Sequence, residues 1–476
     1  MFKKLDKFKE KISSGVSNVT GSKDKEEITY VIQPADCAQL VGGFGIGLGL
    51  NNENQLSQPS PIKECKQLVS IPSTFKLDIA NVSLGNEHSF YQTKDGKFFY
   101  AGSNKEGQFG TISAIHVDSL TQYNNSQIKF KKIICGQYHT AFISDKGQIY
   151  TAGKSDLLGI RSDESKKTPT LIPALADQKI ELYATGPRHS FVVTKEGHLY
   201  GWGKSDNLGV GSFVKVKRVT TITHEPTIVD TCAAFLSFKI VQIAIGDDHT
   251  LALCNNGDVY AWGRGEEFQL GNKTKETRAS PILVESLRSL NIISIQCGSF
   301  NCSALTDKKE CYIWGQYGED LIATPQPLCP GGSSHPFKVQ EISQNGFYNI
   351  FTTLDSDIYT FGIDYKMFNK SAWLPLLLKI DDPLLLNKRI TQVSASAAGY
   401  YVIIYDGSTT LYAEIDYSKK GMKPTKTLSP LPQSQYAKDK EALFGKPSSS
   451  SSSSSTNTTR SSGASRPKRD DDDSVL

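Results

Sequence analysis

Long apolar runs are missing from this sequence. No stretch of its 476 residues approaches the roughly 18 apolar residues that a membrane-spanning helix needs, which excludes an integral helical membrane protein. An excess of one charge is missing too. Lys and Arg number 53 against 49 Asp and Glu, a net +4, too little to argue for nucleic-acid binding by whole-chain electrostatics. Cysteine is sparse and odd in number, at nine, with no C-x-x-C pair. No apolar signal core follows Met1, so a reducing, intracellular compartment is expected. Cys297 and Cys302 bracket four residues, but no His or second Cys pair completes a zinc set in the sequence. The cysteines read as small buried hydrophobes, and no metal or cofactor is expected.

Three segments differ in composition. Residues 1–26 are Lys-rich and lack β signals. Residues 28–432 are rich in Gly and aromatics, with turn signals throughout. Residues 433–476 form a polar tail with an unbroken serine run, Ser448–Ser455, and a last cluster, Arg466-Pro467-Lys468-Arg469 against Asp470–Asp473. Such a tail buries too little apolar surface to offset the entropy of ordering, so disorder is expected. Its basic triplet is a weak nuclear signal, and the location is expected to be cytoplasmic or peripheral to a membrane, with the nucleus left open.

The middle segment repeats. GNEHSFYQTKDGKFFYAG at 85–102 returns as GQYHTAFISDKGQIYTAG at 136–153, GPRHSFVVTKEGHLYGWG at 186–203 and GDDHTLALCNNGDVYAWG at 246–263. In all four the anchor histidine (His88, His139, His189, His249) precedes the final Gly by 14 residues. Weaker copies place Asn301, Tyr348 and Gly399 at the anchor, and the mean spacing is about 52 residues. Two short alternating stretches flank a Gly turn such as Asp95-Gly96 or Asn256-Gly257, the pattern of a tight hairpin. Gly after Trp202, Trp262 and Trp314 suggests close backbone approach at a strand end.

A unit of about 50 residues with three or four short strands reads as a propeller blade. Across residues 28–430 the sequence resembles the regulator of chromosome condensation repeat family. The resemblance implies an all-β, seven-bladed β-propeller. The stretch Ala38–Gly45, continued by Gly47, Gly49 and Pro61-Ile62, looks like the second half of a unit, and the last copy looks like a first half. Pairing N- and C-terminal strands in one blade would close the ring, as in the family. An eighth partial blade is the alternative, because Leu411-Tyr412-Ala413 also reads as a strand.

Phosphate-loop chemistry is not indicated. Gly-Lys-Ser at 153–155 and 203–205 lacks the required earlier Gly, since Gln148 and His198 stand there. The Gly-rich run 42–49 has Leu48 or Leu50 where a dinucleotide fingerprint needs its third Gly. No nucleophile-elbow, zincin or paired-carboxylate signature appears, so no catalytic residue is assigned. Histidines that recur at one structural position read as structural groups, each bonding backbone within or between blades.

Function is expected on the loops before each anchor: Asn86-Glu87, Gln137-Tyr138, Pro187-Arg188, Asp247-Asp248 and Ser299-Phe300. In the founding family member, acidic residues just before this His contact a small GTPase during nucleotide exchange. Here Glu87, Asp247 and Asp248 occupy that position, with Arg188 beside them as a further partner-binding candidate. The unit after His189 is longer than those before it and carries Lys215, Lys217 and Arg218 in its excess, without a visible match to the family's β-wedge. Four tryptophans without a dense cluster disfavour a light-sensing member.

Residues 1–19 form a basic amphipathic pattern. Phe2, Leu5, Phe8, Ile12, Val16 and Val19 share one helical face, with Lys3, Lys4, Lys7 and Lys11 outside it. Phe2, Lys3, Lys4, Leu5, Phe8 and Ile12 are the candidate contacts with an anionic membrane; docking on the propeller or a partner is the alternative. The sequence thus predicts a monomeric protein-interaction propeller. It is either a guanine-nucleotide exchange factor or regulator of a small GTPase, or a scaffold without exchange activity recruited to membranes by its N-terminal helix.

Overall fold

In the computed structural model the described residues lie between 31 and 415. Excepted are 34–38, 42–43, 59–63, 72, 75–76, 113–114, 205–221, 230–236, 319, 330–337, 364–372, 381–384, 386–388, 407 and 411–412. The expected N-terminal helix, the Ser-rich tail and the Lys215–Arg218 insertion fall outside the described residues. Within them no helix is long and apolar enough to cross a membrane.

Seven four-stranded antiparallel sheets follow one another along the chain. Blade 1 is made of Ile79–Leu84, His88–Thr93, Phe98–Ser103 and His116–Gln122. Blades 2 to 6 repeat the same meander, starting at Phe130, Ile180, Ile240, Ile292 and Glu341. The first strand of each blade touches the first strands of the blades on either side, and these contacts run round all seven without a break. First strands therefore line the axis.

Burial follows radial position. The second strand of blade 1 is buried almost throughout, whereas the fourth is mostly exposed. Middle strands lie between two neighbouring sheets and are apolar on both faces, while fourth strands meet solvent. Apolar clusters fill every blade-to-blade interface. Phe90, Phe109, Phe130 and Phe142 pack blade 1 on blade 2, and Trp202 and Trp262 plug the next two interfaces in turn. Each buried ring of this size contributes about 2–3 kcal/mol of transfer free energy.

Closure uses both ends of the chain. Blade 7 runs Arg389–Ala395, Tyr400–Asp406, Phe44–Leu50 and Glu64–Ser70. Its central ladder pairs Phe44 with Tyr405 and Gly49 with Tyr400. The pairing continues outward, with Gln39–Val41 on Ser408–Thr410 and Val31–Gln33 on Ala413–Ile415. These extra strands prolong one clasp as two-stranded pairs; a separate eighth blade does not form among the described residues.

The 14-residue spacing has a direct cause. His88, His139, His189 and His249 are the cross-strand partners of Gly102, Gly153, Gly203 and Gly263. At Gly263 φ is +98°, and an added Cβ would lie 2.4 Å from the Asp248 carbonyl oxygen. The backbone before the anchor therefore crosses where any side chain would stand.

Candidate functional site

In blades 1 to 5 the turn joining first to second strand holds the Gly-x-x-anchor phrase, and these turns gather at one mouth of the axial channel. Leu84, Cys135, Ile245 and Cys297 line that channel. Neighbouring turns are tied through backbone. Asn86 N donates to Gln137 O (3.0 Å), and Ser299 N donates to Gly346 O (2.6 Å). The result is a rigid collar.

The anchors of blades 1 to 5 bond across to the next blade. His88 Nε2 hydrogen-bonds Thr140 Oγ1 at 2.9 Å, and His189 Nε2 hydrogen-bonds Thr250 Oγ1 at 2.8 Å. His139 Nε2 meets the Tyr183 hydroxyl at 2.9 Å. Asn301, the anchor of blade 5, is bonded by Gln344 Nε2. The expected link between blades is present, but its partner at Nε2 is a side chain rather than backbone. The reason is geometric: the ring crosses the interface and meets the first and second strands of the next blade side-on. Burial holds two of these imidazoles neutral, pulling His88 down to about 3, with help from His139, and His139 to about 4.

In blade 4 the same reach meets sulfur. His249 Nε2 lies 3.1 Å from Cys302 Sγ, and Cys302 Sγ lies 3.9 Å from Cys297 Sγ, all three residues being buried. Burial pushes both thiols up. At Cys297 the Cys302 hydrogen bond and the His249 imidazole outweigh it and bring the thiol down to about 6. Cys302 is pushed well above the usual thiol range. Among the described residues this is the group of His, Cys and carboxylate ligands close enough to hold a metal. Spacing within the sequence could not find it, because His249 belongs to the preceding repeat.

The residues just before the anchors form a ring of their own. In blades 1 to 6 they are Glu87, Tyr138, Arg188, Asp248, Phe300 and Phe347. Arg188 Nη1 reaches Asp248 Oδ2 at 2.5 Å across the blade 3–blade 4 seam, with side chains 49% and 6% exposed. Asp248 is thereby a buried tie between blades, and Arg188 is the half that faces solvent. Asp247 Oδ1 accepts a hydrogen bond from Ser299 Oγ at 3.0 Å, and burial raises its carboxyl. Glu87 is half-buried on the collar. The four partner candidates thus share the collar, divided between blade 1 and the blade 3–blade 4 seam. Phe2, Lys3, Lys4, Leu5, Phe8 and Ile12 lie outside the described residues.

Three residues of the ring are aromatic: Tyr138 and Phe300 lie on loops expected to carry function but were not named as partner contacts, and Phe347 was not singled out. The Phe300 and Phe347 rings are 5.8 Å apart, and the Arg264 guanidinium stands 5.7 Å from the Phe300 ring. Tyr138, 36% exposed, carries Lys154 at 5.7 Å from its ring. The signal was available: each aromatic sits one residue before an anchor.

A closed seven-bladed wheel with a collar of anchored turns defines the class, a repeat propeller that presents side chains from many blades on one face. Comparison with known proteins identifies the repeat. The family model described as the regulator of chromosome condensation (RCC1) repeat matches residues 196–253 and 256–305. The E3 ubiquitin-protein ligase HERC2 of Mus musculus is 27% identical over 317 residues, covering 66% of this chain but 6% of that protein. The ultraviolet-B receptor UVR8 of Arabidopsis thaliana is 26% identical over 280 residues, covering 58% of this chain and 59% of that protein. The crystal structure of Prp20p from Saccharomyces cerevisiae superposes with a TM-score of 0.65 at 16% identity, covering 81% of this chain and 94% of that one. The chain thus carries repeats of the regulator of chromosome condensation type and is similar to proteins that contain them.

Proposed function

We propose that this propeller is a protein-interaction module and that its anchor-turn collar regulates a small GTPase. The observation that carries the reading is the ring of residues before the anchors: charged in blades 1, 3 and 4, aromatic in blades 2, 5 and 6, all on one rigid frame. Aromatic and Arg side chains are the usual anchors of protein interfaces. The family supports the class of partner, since Prp20p is described by its binding to Gsp1p and histones. As an exchange factor the collar would displace bound nucleotide and Mg²⁺ by steric and electrostatic means, with no covalent step.

The test is release of mant-GDP from a panel of small GTPases, paired with capture of nucleotide-free GTPases on the immobilised chain. Acceleration that falls at least tenfold in Arg188→Glu and in Phe347→Ala supports the reading. No acceleration at micromolar protein, together with no capture, leaves a scaffold without exchange activity.

A further inference from the structure

We propose that His249, Cys297 and Cys302 form a binding site for a thiophilic cation of the Zn²⁺ type that staples blade 4 to blade 5. The distances are close to those such an ion needs. Zn–S bonds of about 2.3 Å and a Zn–N bond of about 2.0–2.1 Å in a tetrahedron separate two sulfurs by about 3.8 Å and sulfur from nitrogen by about 3.5 Å. Here the sulfurs are 3.9 Å apart, and Cys302 Sγ is 3.1 Å from His249 Nε2. All three ligand atoms lie within 4.8 Å of one another.

The three side chains are held in place before any ion arrives. Cys297 and Cys302 are directly opposed on one antiparallel ladder. The His249 ring packs against Gly246, where an added Cβ would come within 2.1 Å of it, so glycine makes the room the ring occupies at the seam. The Tyr317 hydroxyl donates to the Cys302 carbonyl at 2.9 Å. The Gln269 carbonyl oxygen, 3.4 Å from Cys302 Sγ, stands beside the cluster, and it or a water would complete the tetrahedron. Charge favours zinc in particular. Bound as thiolates, the two sulfurs cancel the ion's charge in a buried place where net charge is costly.

The other seams show what packing alone requires. At the positions of Cys297 and Cys302, blade 2 has Cys135 and Thr140, blade 3 has Thr185 and Ser190, and blade 4 has Ile245 and Thr250. The incoming imidazole meets the hydroxyl one residue after the anchor in blades 2 and 4, and the Tyr183 hydroxyl in blade 3. The inter-blade hydrogen bond needs no second sulfur, and blade 5 supplies two facing one histidine.

The test uses the full chain purified under reducing conditions. One equivalent of zinc is expected by mass spectrometry of the isolated protein. Metal-stripped protein titrated with Co²⁺ should develop a thiolate-to-cobalt charge-transfer band that Zn²⁺ abolishes. Cys302→Ser and Cys297→Ser should lose the band, while Cys135→Ser, at the equivalent place in blade 2, should keep it. If the serine variants fail to fold, His249→Asn provides the second probe, because the chain itself uses Asn at anchor 301; folded by circular dichroism, it should bind no cobalt. A wild type with neither zinc nor a cobalt band overturns the proposal. So does a Cys297–Cys302 disulfide recovered in place of metal, or binding of Cu(I) without Zn²⁺.

Discussion

Arg188 and Asp248, the residues that precede two successive anchor histidines, are joined at 2.5 Å across the seam between blades 3 and 4. The pair changes what an acidic residue before an anchor means. Asp248 is committed to holding two blades together, and only its partner's side chain is well exposed.

Replacing each member should therefore give different results. Asp248→Ala leaves an Arg that water can solvate, but it removes a buried inter-blade tie. The expected loss lies between the ~0.5 kcal/mol of an exposed pair and the ~3 kcal/mol of a buried one. Arg188→Ala removes the cation facing a buried carboxylate and should cost more than Asp248→Ala. Urea denaturation of the two variants and of the double variant measures the difference, and equal losses would count against the tie.

Acid should loosen the ring. Burial lowers the imidazoles of His88 and His139 to about 3 and about 4, whereas in the unfolded chain they titrate near 6.5. The unfolded state then binds more protons as pH falls from 6.5 towards 4, so stability drops across that window, by up to ~1.4 kcal/mol per pH unit for each histidine. Glu341 acts in the opposite sense. Burial raises it to about 7, so the folded state binds the extra proton between pH 4.5 and 7 and gains stability as pH falls. Two histidines against one carboxyl leave a net loss of about 2 kcal/mol between pH 6.5 and 5. Chemical denaturation at the two pH values reads it, and His88→Asn should reduce the slope.

Two hairpin turns in the weaker repeats hold left-handed backbone without glycine: Lys309 at φ +64° and Ser356 at φ +62°. Gly96, Gly147 and Gly257 adopt nearly the same conformation in the stronger repeats. Lys309→Gly and Ser356→Gly should each stabilise by about 0.5–1 kcal/mol, because the strain relieved exceeds the added unfolded-state entropy. A lower melting temperature in both would refute this.

The N-terminal amphipathic pattern gives a prediction from sequence alone. Vesicles containing anionic lipid should float the full chain and leave behind a chain lacking residues 1–20, with less flotation at high salt. Equal flotation of both forms would rule out the segment as the membrane contact.

The period, the propeller and the closing clasp were legible in the sequence, because a blade is built from local signals. A Gly turn, alternating strands and an anchor 14 residues before its cross-strand Gly are all contained within one unit. The last copies were harder to read because Lys309 and Ser356 keep the turn geometry after its glycine is gone. What the anchors touch, which acid is buried, and that Phe300 and Phe347 pack together were decided only by the tertiary structure. Those contacts all cross a seam between blades, joining residues about 50 positions apart, as in His249 with Cys302. A repeat pattern records what each module needs to fold; it carries no record of what one module's side chains meet on the face of the next.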